Sequence, residues 1–425
     1  MNFTDHPTPH PAVILREGFD DYRLLFQPLY GDVIGLDPVS LAVWRALDGK
    51  RTLIEVAVEV QAQFEDAPQS VVEDVCAFVA DLERRGFICT KAEADLFLLE
   101  AANAGETPSR SSLHWYDSAE ARADSFPCFV LHLADGSHFA IQAGDAQSAG
   151  VVAQFADLAQ LKTMIPSEMN SARRFWVQSE GNPEPGNNEG AAVCILQLPE
   201  LLPLPGQVGE AAGRRGGTTR QYSDAERRVQ QLWRLSAFIG YKTQARGGAL
   251  LHGALAVQAL PNQGEPAPLG LGVLLVGRSG VGKTTASRRL APPWYSLSDD
   301  AALVVRDAGG SYWAHPWPTW SQLLYDSPVE RRDVQKAVPL KAIFILDQAG
   351  QDRATPAGGA AAVSMLMEIV QQASWRLWLG ADLAALHAAQ MTRFDALCAL
   401  VKMVPVYLLD VSLEGAFWKE MEKVL

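Results

Sequence analysis

Gly272 to Thr285 reads Gly-Val-Leu-Leu-Val-Gly-Arg-Ser-Gly-Val-Gly-Lys-Thr-Thr, and Gly277 to Thr284 satisfies the spacing G-x-x-x-x-G-K-[ST] in full. That spacing serves phosphate binding. Gly277, Gly280 and Gly282 let the backbone curl, so that N–H groups of the loop, those of Ser279 and Val281 included, point inward at phosphate oxygens. The helix that follows directs its positive end, with Thr285 in the first turn, at the same place. Lys283 has the reach for β and γ phosphates, and the Thr284 hydroxyl is placed to ligate Mg²⁺. An apolar strand over 271–276 and a helix over 283–290, stopped by Pro292-Pro293, supply the strand–loop–helix context the motif requires. ATP with Mg²⁺ is the expected ligand.

A loop of this kind holds a nucleotide without saying what becomes of its γ phosphate. Downstream, Ser298-Asp299-Asp300 leads into an apolar strand over 301–305. Adjacent carboxylates at a strand start point to opposite faces, so one can meet a metal and the other an acceptor hydroxyl. The plainer alternative is a helix-cap-type Asp with a solvated neighbour. Upstream, His252 sits inside the apolar run 250–257, either as a site residue or as a satisfied core histidine. His315-Pro316-Trp317-Pro318-Thr319-Trp320 is either an acceptor-peptide pocket built on His315 and Trp317 or a Pro-bounded core turn. Arg353, after an apolar strand at 343–346, is either a phosphate clamp or a surface arginine.

The elements that must position these residues follow from periodicity and caps. Three short strands are expected at 12–15, 22–26 and 33–36, then a helix capped by Asp37 and ended at Asp48-Gly49. Thr52 with Glu55 has capping-box spacing, and Val71, Val75, Phe78, Val79 and Leu82 keep a helical period up to Gly86. This makes a compact winged-helix-like module over residues 1–92. A linker is expected over 93–125, with 106–112 rich in Thr, Pro and Ser. Asp135-Gly136 marks a hairpin, and a strand is expected at 193–198 after the loop 180–190. Ser223 with Glu226 opens a long helix, and further buried strands are expected at 343–346 and 404–409. The second domain is expected over 126–425, with its core from about 222, and the fold class is α/β (α+β).

At 425 residues, two or three domains are the natural prior. The net charge of −13 disfavours a nucleic-acid partner, and the arginines at 214, 215 and 220 read as a solvated loop. Five scattered cysteines, none at metal-ligand spacing, suggest neither a zinc site nor a disulfide framework. With no signal-peptide pattern and no apolar run of membrane-spanning length, a reduced cytoplasm is expected and no membrane partner. Oligomeric state is not readable.

His252-Gly253, the loop from Gly277 to Thr284, and Asp299-Asp300 together resemble, in order and spacing, the catalytic domain of HPr kinase/phosphorylase. The resemblance implies that Asp299 is the general base for an acceptor hydroxyl, that Asp300 helps hold the metal, and that His252 lies beside the transferring phosphoryl group with Lys283. It leaves open which of the two aspartates takes which role. The acidic metal-ligand segment of that family is not found after the Asp-Asp strand, so a phosphorylase activity is not implied.

Residues 12–90, on Ala42-Val43-Trp44-Arg45-Ala46-Leu47-Asp48-Gly49, Thr52 to Ala57 and Gly86-Phe87-Ile88, resemble PqqD and related leader-recognition domains of ribosomal peptide pathways. That resemblance implies a leader peptide added as a strand on the 32–36 edge at Val33, Ile34 and Leu36. Its apolar side chains would lie in a groove of Val75, Phe78, Val79 and Leu82. The fusion is similar to peptide-tailoring kinases of lasso-peptide clusters and to ScmC-type cassette proteins. The expectation is an ATP-dependent kinase acting on a side-chain hydroxyl, serine first, of a leader-bound ribosomal precursor peptide. The alternatives are a non-catalytic, ATP-gated leader chaperone that presents the peptide to other maturation enzymes, and a small-molecule phosphotransferase.

Overall fold

A computed structural model describes residues 6–19, 22–64, 70–104, 115–118, 126–163, 173–178, 193–197, 223–259, 269–325, 329–374, 377 and 383–425. The stretches 106–112 and 180–190 and the arginines at 214, 215 and 220 lie outside these residues. The chain divides into two compact units. One comprises 1–111 together with 358–368 and 382–394; the other holds the remainder.

The first unit has a three-stranded antiparallel sheet, Ile14–Glu17, Arg23–Gln27 and Asp32–Leu36, with Asp32–Leu36 on an edge. Helices Pro38–Ala46, Leu53–Gln63 and Val71–Arg84 follow. Asp37 accepts from the Ser40 N–H, and Thr52 and Glu55 close a reciprocal capping box, so both helix starts have their first donors satisfied. Leu24, Leu25 and Phe26 are all fully buried, an unbroken apolar run rather than an alternation, so both faces of the middle strand are covered. Leu25 and Leu36 pack on the three helices. On the opposite face Phe26 stacks on Phe394, 4.3 Å between centroids. Residues 358–368 and 382–394, within the stretch 126–425 expected as the second domain, cluster with the first unit. The stretch expected as a linker carries the helix Lys91–Ala104 and the strand Trp115–Ser118.

In the second unit, a six-stranded sheet contains the hairpin Cys128–His132/His138–Ala143 and, in parallel to the latter, Arg173–Gln178. The helix Ala146–Leu158 packs on it. An eight-stranded mixed sheet holds the chemistry-bearing residues. Its central strands are Ala249–Ala259, Leu269–Val276 and Val338–Gln348, the last two parallel. The helix Asp224–Gln244, opened by the Ser223/Glu226 capping box, lies against Ala249–Ala259. No described helix is long and apolar enough to cross a membrane.

One polar node fixes the segment after the strand Tyr312–Trp317. Ser236, Trp317 and Trp320 are fully buried, and both indole N–H groups donate to Ser236 Oγ, at 2.9 and 2.8 Å. The same hydroxyl donates to the Leu232 carbonyl at 2.9 Å, so its hydrogen-bonding capacity is fully used. Ser236→Ala leaves two buried donors without an acceptor and should cost about 2–5 kcal/mol of stability, read from the denaturation midpoint; a loss below about 1 kcal/mol would show that the node is not a support.

Candidate functional site

The strand Ala249–Ala259 builds the site through the register of its neighbours. On one side Gly253 faces Val276, the last residue before the glycine-rich loop. On the other side two consecutive short strands, Trp294–Ser298 and Ala301–Arg306, both run antiparallel to it. Leu255 faces Ser298 and His252 faces Ala301. The Asp299-Asp300 pair occupies the break between those two strands. Expected at a strand start with faces alternating, the pair instead sits in a bend, which frees both carboxylates from strict alternation. Gly253 is required by closeness: a Cβ there would lie 2.9 Å from the Leu275 carbonyl oxygen. The His-Gly pair thus brings two neighbouring strands close where loop and carboxylates meet.

The glycine-rich loop has Gly280 at φ 83° and Gly282 at φ 101°, left-handed conformations that suit glycine, and the helix Lys283–Arg289 starts directly after it. Lys283 is buried, its Nζ donating to the Gly277 and Arg278 carbonyls at 2.9 Å each. Burial lowers its pKa, and the Asp300 charge opposes that. Thr284 is half-buried, while Ser279, Gly280 and Thr285 are exposed.

The two carboxylates are held differently. Asp299 Oδ1 accepts from the buried Thr319 hydroxyl at 2.5 Å and lies 3.9 Å from Arg332 Nη2. Asp300 Oδ1 lies 3.6 Å from His252 Nε2. Its pKa is raised to about 6, chiefly by burial and then by Asp299, with Lys283 pulling it down. The carboxylate of Asp300 and the hydroxyl of Thr284 are hard oxygen donors, of the kind a hard divalent cation takes. Among the described residues no group of three or more His, Cys, Asp or Glu could cage a metal. Such an ion would keep water and substrate oxygens in its shell, as Mg²⁺ characteristically does.

His315 and Trp317 require correction. They are core residues, 1% and 0% exposed, and form no acceptor pocket. His315 Nδ1 lies 2.6 Å from the Val334 carbonyl and Nε2 accepts from the Ala134 N–H, so both ring nitrogens are used and burial keeps the pKa low. Of the expected leader groove, Val75, Val79 and Leu82 are also core, leaving Phe78 half-buried. On the edge strand Val33 and Leu36 are buried and Ile34 half-buried. Arg353 pairs with Asp410 Oδ2 at 3.0 Å on an exposed surface.

Thr319 and Arg332 join the site without having been anticipated. Thr319 lies in the same six-residue segment, but its signal was masked by the bulkier His and Trp. Arg332 is anchored by its own N–H to the Leu158 carbonyl at 2.7 Å and pairs also with Glu330, a tertiary placement that no spacing foretells. Asp347 and Gln348 end the strand parallel to Leu269–Val276, and Gln348 Nε2 donates to the Val281 carbonyl at 3.3 Å. Four apolar residues followed by Asp347 were a readable signal for that position.

Two comparisons with protein families bear on this arrangement. Residues 219–425 match the family described as SynChlorMet cassette protein ScmC, and residues 22–88 match coenzyme PQQ synthesis protein D (PqqD). The two matches fit the fusion of an N-terminal PqqD-like domain with a C-terminal ScmC-like domain. That pairing points to an enzyme of ribosomal-peptide maturation with leader recognition. No curated protein shows a significant match.

The raised pKa of Asp300 makes a linkage prediction. With about 6 in the folded protein against 3.8 for the free side chain, ionising it opposes folding: the penalty is absent below pH about 4 and complete above about 6. Metal-free Asp300→Asn should match wild type at low pH and exceed it by about 2–3 kcal/mol at pH 8. Parallel stability curves across that window would contradict the assignment.

Proposed function

We propose that the ScmC domain is an ATP-dependent phosphotransferase and that its acceptor is a side-chain hydroxyl, serine first, of a ribosomal precursor peptide. The observation that carries the proposal is the convergence of Lys283, the loop amides, Asp299, Asp300 and His252 on one strand end. The triphosphate lies in the loop, against its inward N–H groups and the helix start. Lys283 exchanges its two carbonyl contacts for phosphate oxygens. Thr284 and Asp300 would hold Mg²⁺, which would supply charge neutralisation and orientation when bound.

Asp299 is the base. Thr319 and Arg332 engage Oδ1 and leave Oδ2 for the acceptor hydroxyl. As the acceptor oxygen bonds to the γ phosphorus, the bond from phosphorus to the β–γ bridging oxygen breaks. Its electron pair departs with ADP, and the acceptor proton passes to Asp299. His252, held beside Asp300, lines the same end of the site. The PqqD-like domain captures the leader, which raises the effective concentration of the tethered core peptide.

Mass analysis of the precursor after incubation with protein, ATP and Mg²⁺ is the test, and a gain of one phosphate is expected. Asp299→Asn should lower transfer at least about a hundredfold while ATP affinity changes less than about threefold. A precursor of unchanged mass with wild-type protein would defeat the phosphotransferase reading. Full transfer by Asp299→Asn would defeat only the role of that carboxylate.

A further inference from the structure

The edge strand Asp32–Leu36 is flanked on both sides. Arg85, just past the end of the helix Val71–Arg84, makes a paired contact to Asp32, Nε to Oδ2 at 2.7 Å and Nη2 to Oδ1 at 2.6 Å. The same Nη2 donates to the Val33 carbonyl at 3.1 Å. From the other side Ser364, on the helix Gly359–Ser374, donates its hydroxyl to that same carbonyl at 2.9 Å. The Val33 N–H is met by Asp32 Oδ1 at 2.9 Å. Both main-chain groups of Val33 are therefore served by side chains, and none of these contacts comes from a neighbouring strand. By strand alternation, the N–H and C=O of Gly35 point the same way.

Beside this edge is a cleft of about 420 Å³, lined by Phe19, Tyr22, Ile34, Arg85, Ala361 and Met365 among others. Gly35 lets the helix approach: a Cβ there would lie 2.7 Å from Ala360 Cβ. All these residues belong to one compact unit. Yet 359–365 falls within the sequence matched to ScmC, outside the stretch matched to PqqD.

We propose that the first turns of the helix Gly359–Ser374 form the second wall of this cleft, opposite the edge at Val33 and Gly35 on which the leader-capture reading seats the peptide strand. The proposal rests on the leader-capture reading above and adds who builds the site. An incoming strand offers a backbone N–H to the Val33 carbonyl and displaces the Ser364 hydroxyl and the Arg85 Nη2, which imitate that donor. Its outward side chains then meet an apolar wall of Phe19, Tyr22 and Met365 on one face. The ligand class is an extended peptide with apolar residues at alternate positions. The PqqD-like segment alone lacks the part of that wall that the helix Gly359–Ser374 supplies through Ala361 and Met365.

The test uses the full chain and a fluorescent peptide selected on it from a display library of random linear peptides. Val33→Pro removes an outward N–H while sparing the pairing to Arg23–Gln27, and proline is tolerated on an edge. Ala361→Trp fills the cleft from an exposed helix position. Both should weaken binding at least about tenfold in fluorescence anisotropy, measured at a temperature where circular dichroism shows each variant folded, and Ser364→Ala should bind as tightly as wild type or tighter. Loss with Val33→Pro but not with Ala361→Trp would overturn the second wall and leave leader capture standing. Binding that survives Val33→Pro would overturn the strand. A library that yields no binder would end both readings.

Discussion

The hydrogen bonding of the strand Ala249–Ala259 to partners on both sides governs the second unit. Its pairing to Leu269–Val276 ends at Gly253 facing Val276, so the glycine-rich loop must leave the sheet beside His252. Its pairing to Trp294–Ser298 and Ala301–Arg306 leaves Asp299 and Asp300 in the gap between them. A one-residue slip of either partner would turn its side chains to the other face and dissolve the cluster. Ala254, Leu255, Ala256 and Val257 are all fully buried, so both faces of the strand are apolar and close packing of small and large side chains opposes such a slip.

Around that strand, the structure separates two adjacent carboxylates into unlike environments. Asp299 receives a short hydrogen bond from Thr319 and the flank of a guanidinium, whereas Asp300 is pushed towards neutrality by burial. Such a separation is how neighbouring acids acquire distinct tasks. The segment that carries Thr319 is pinned by packing: Trp317 and Trp320 share Ser236 below it, and Phe155 packs against both indoles. The aromatic residues of the segment are thus buried and frame Thr319 from below.

What was legible in the sequence is what local chemistry determines. Asp37, Thr52 with Glu55 and Ser223 with Glu226 cap helices as their spacing dictates, and the glycine-rich loop follows its strand and precedes its helix. What was not legible depends on partners distant in the chain. Val75, Val79 and Leu82 lie on one helix face, and that spacing is the same whether the face lines a groove or fills a core. Here it fills the core. Arg332 reaches Asp299 only because its backbone docks on Leu158, and Ser364 reaches Val33 across more than three hundred residues. The doubly buried strand Arg23–Gln27 did announce a second covering layer through Leu24, Leu25 and Phe26, but not which segment provides it.

The central claim is that the loop from Gly277 to Thr284, with Lys283 and the adjoining carboxylates, is organised around a triphosphate. Calorimetric titration of the folded, full-length chain with ATP in the presence of Mg²⁺, with AMP as the comparison, tests it most directly. The account predicts saturable binding of ATP that weakens at least about tenfold for AMP, since the missing phosphates are the groups the loop grips. Equal affinity for the two nucleotides, or no heat of association with either, would contradict it.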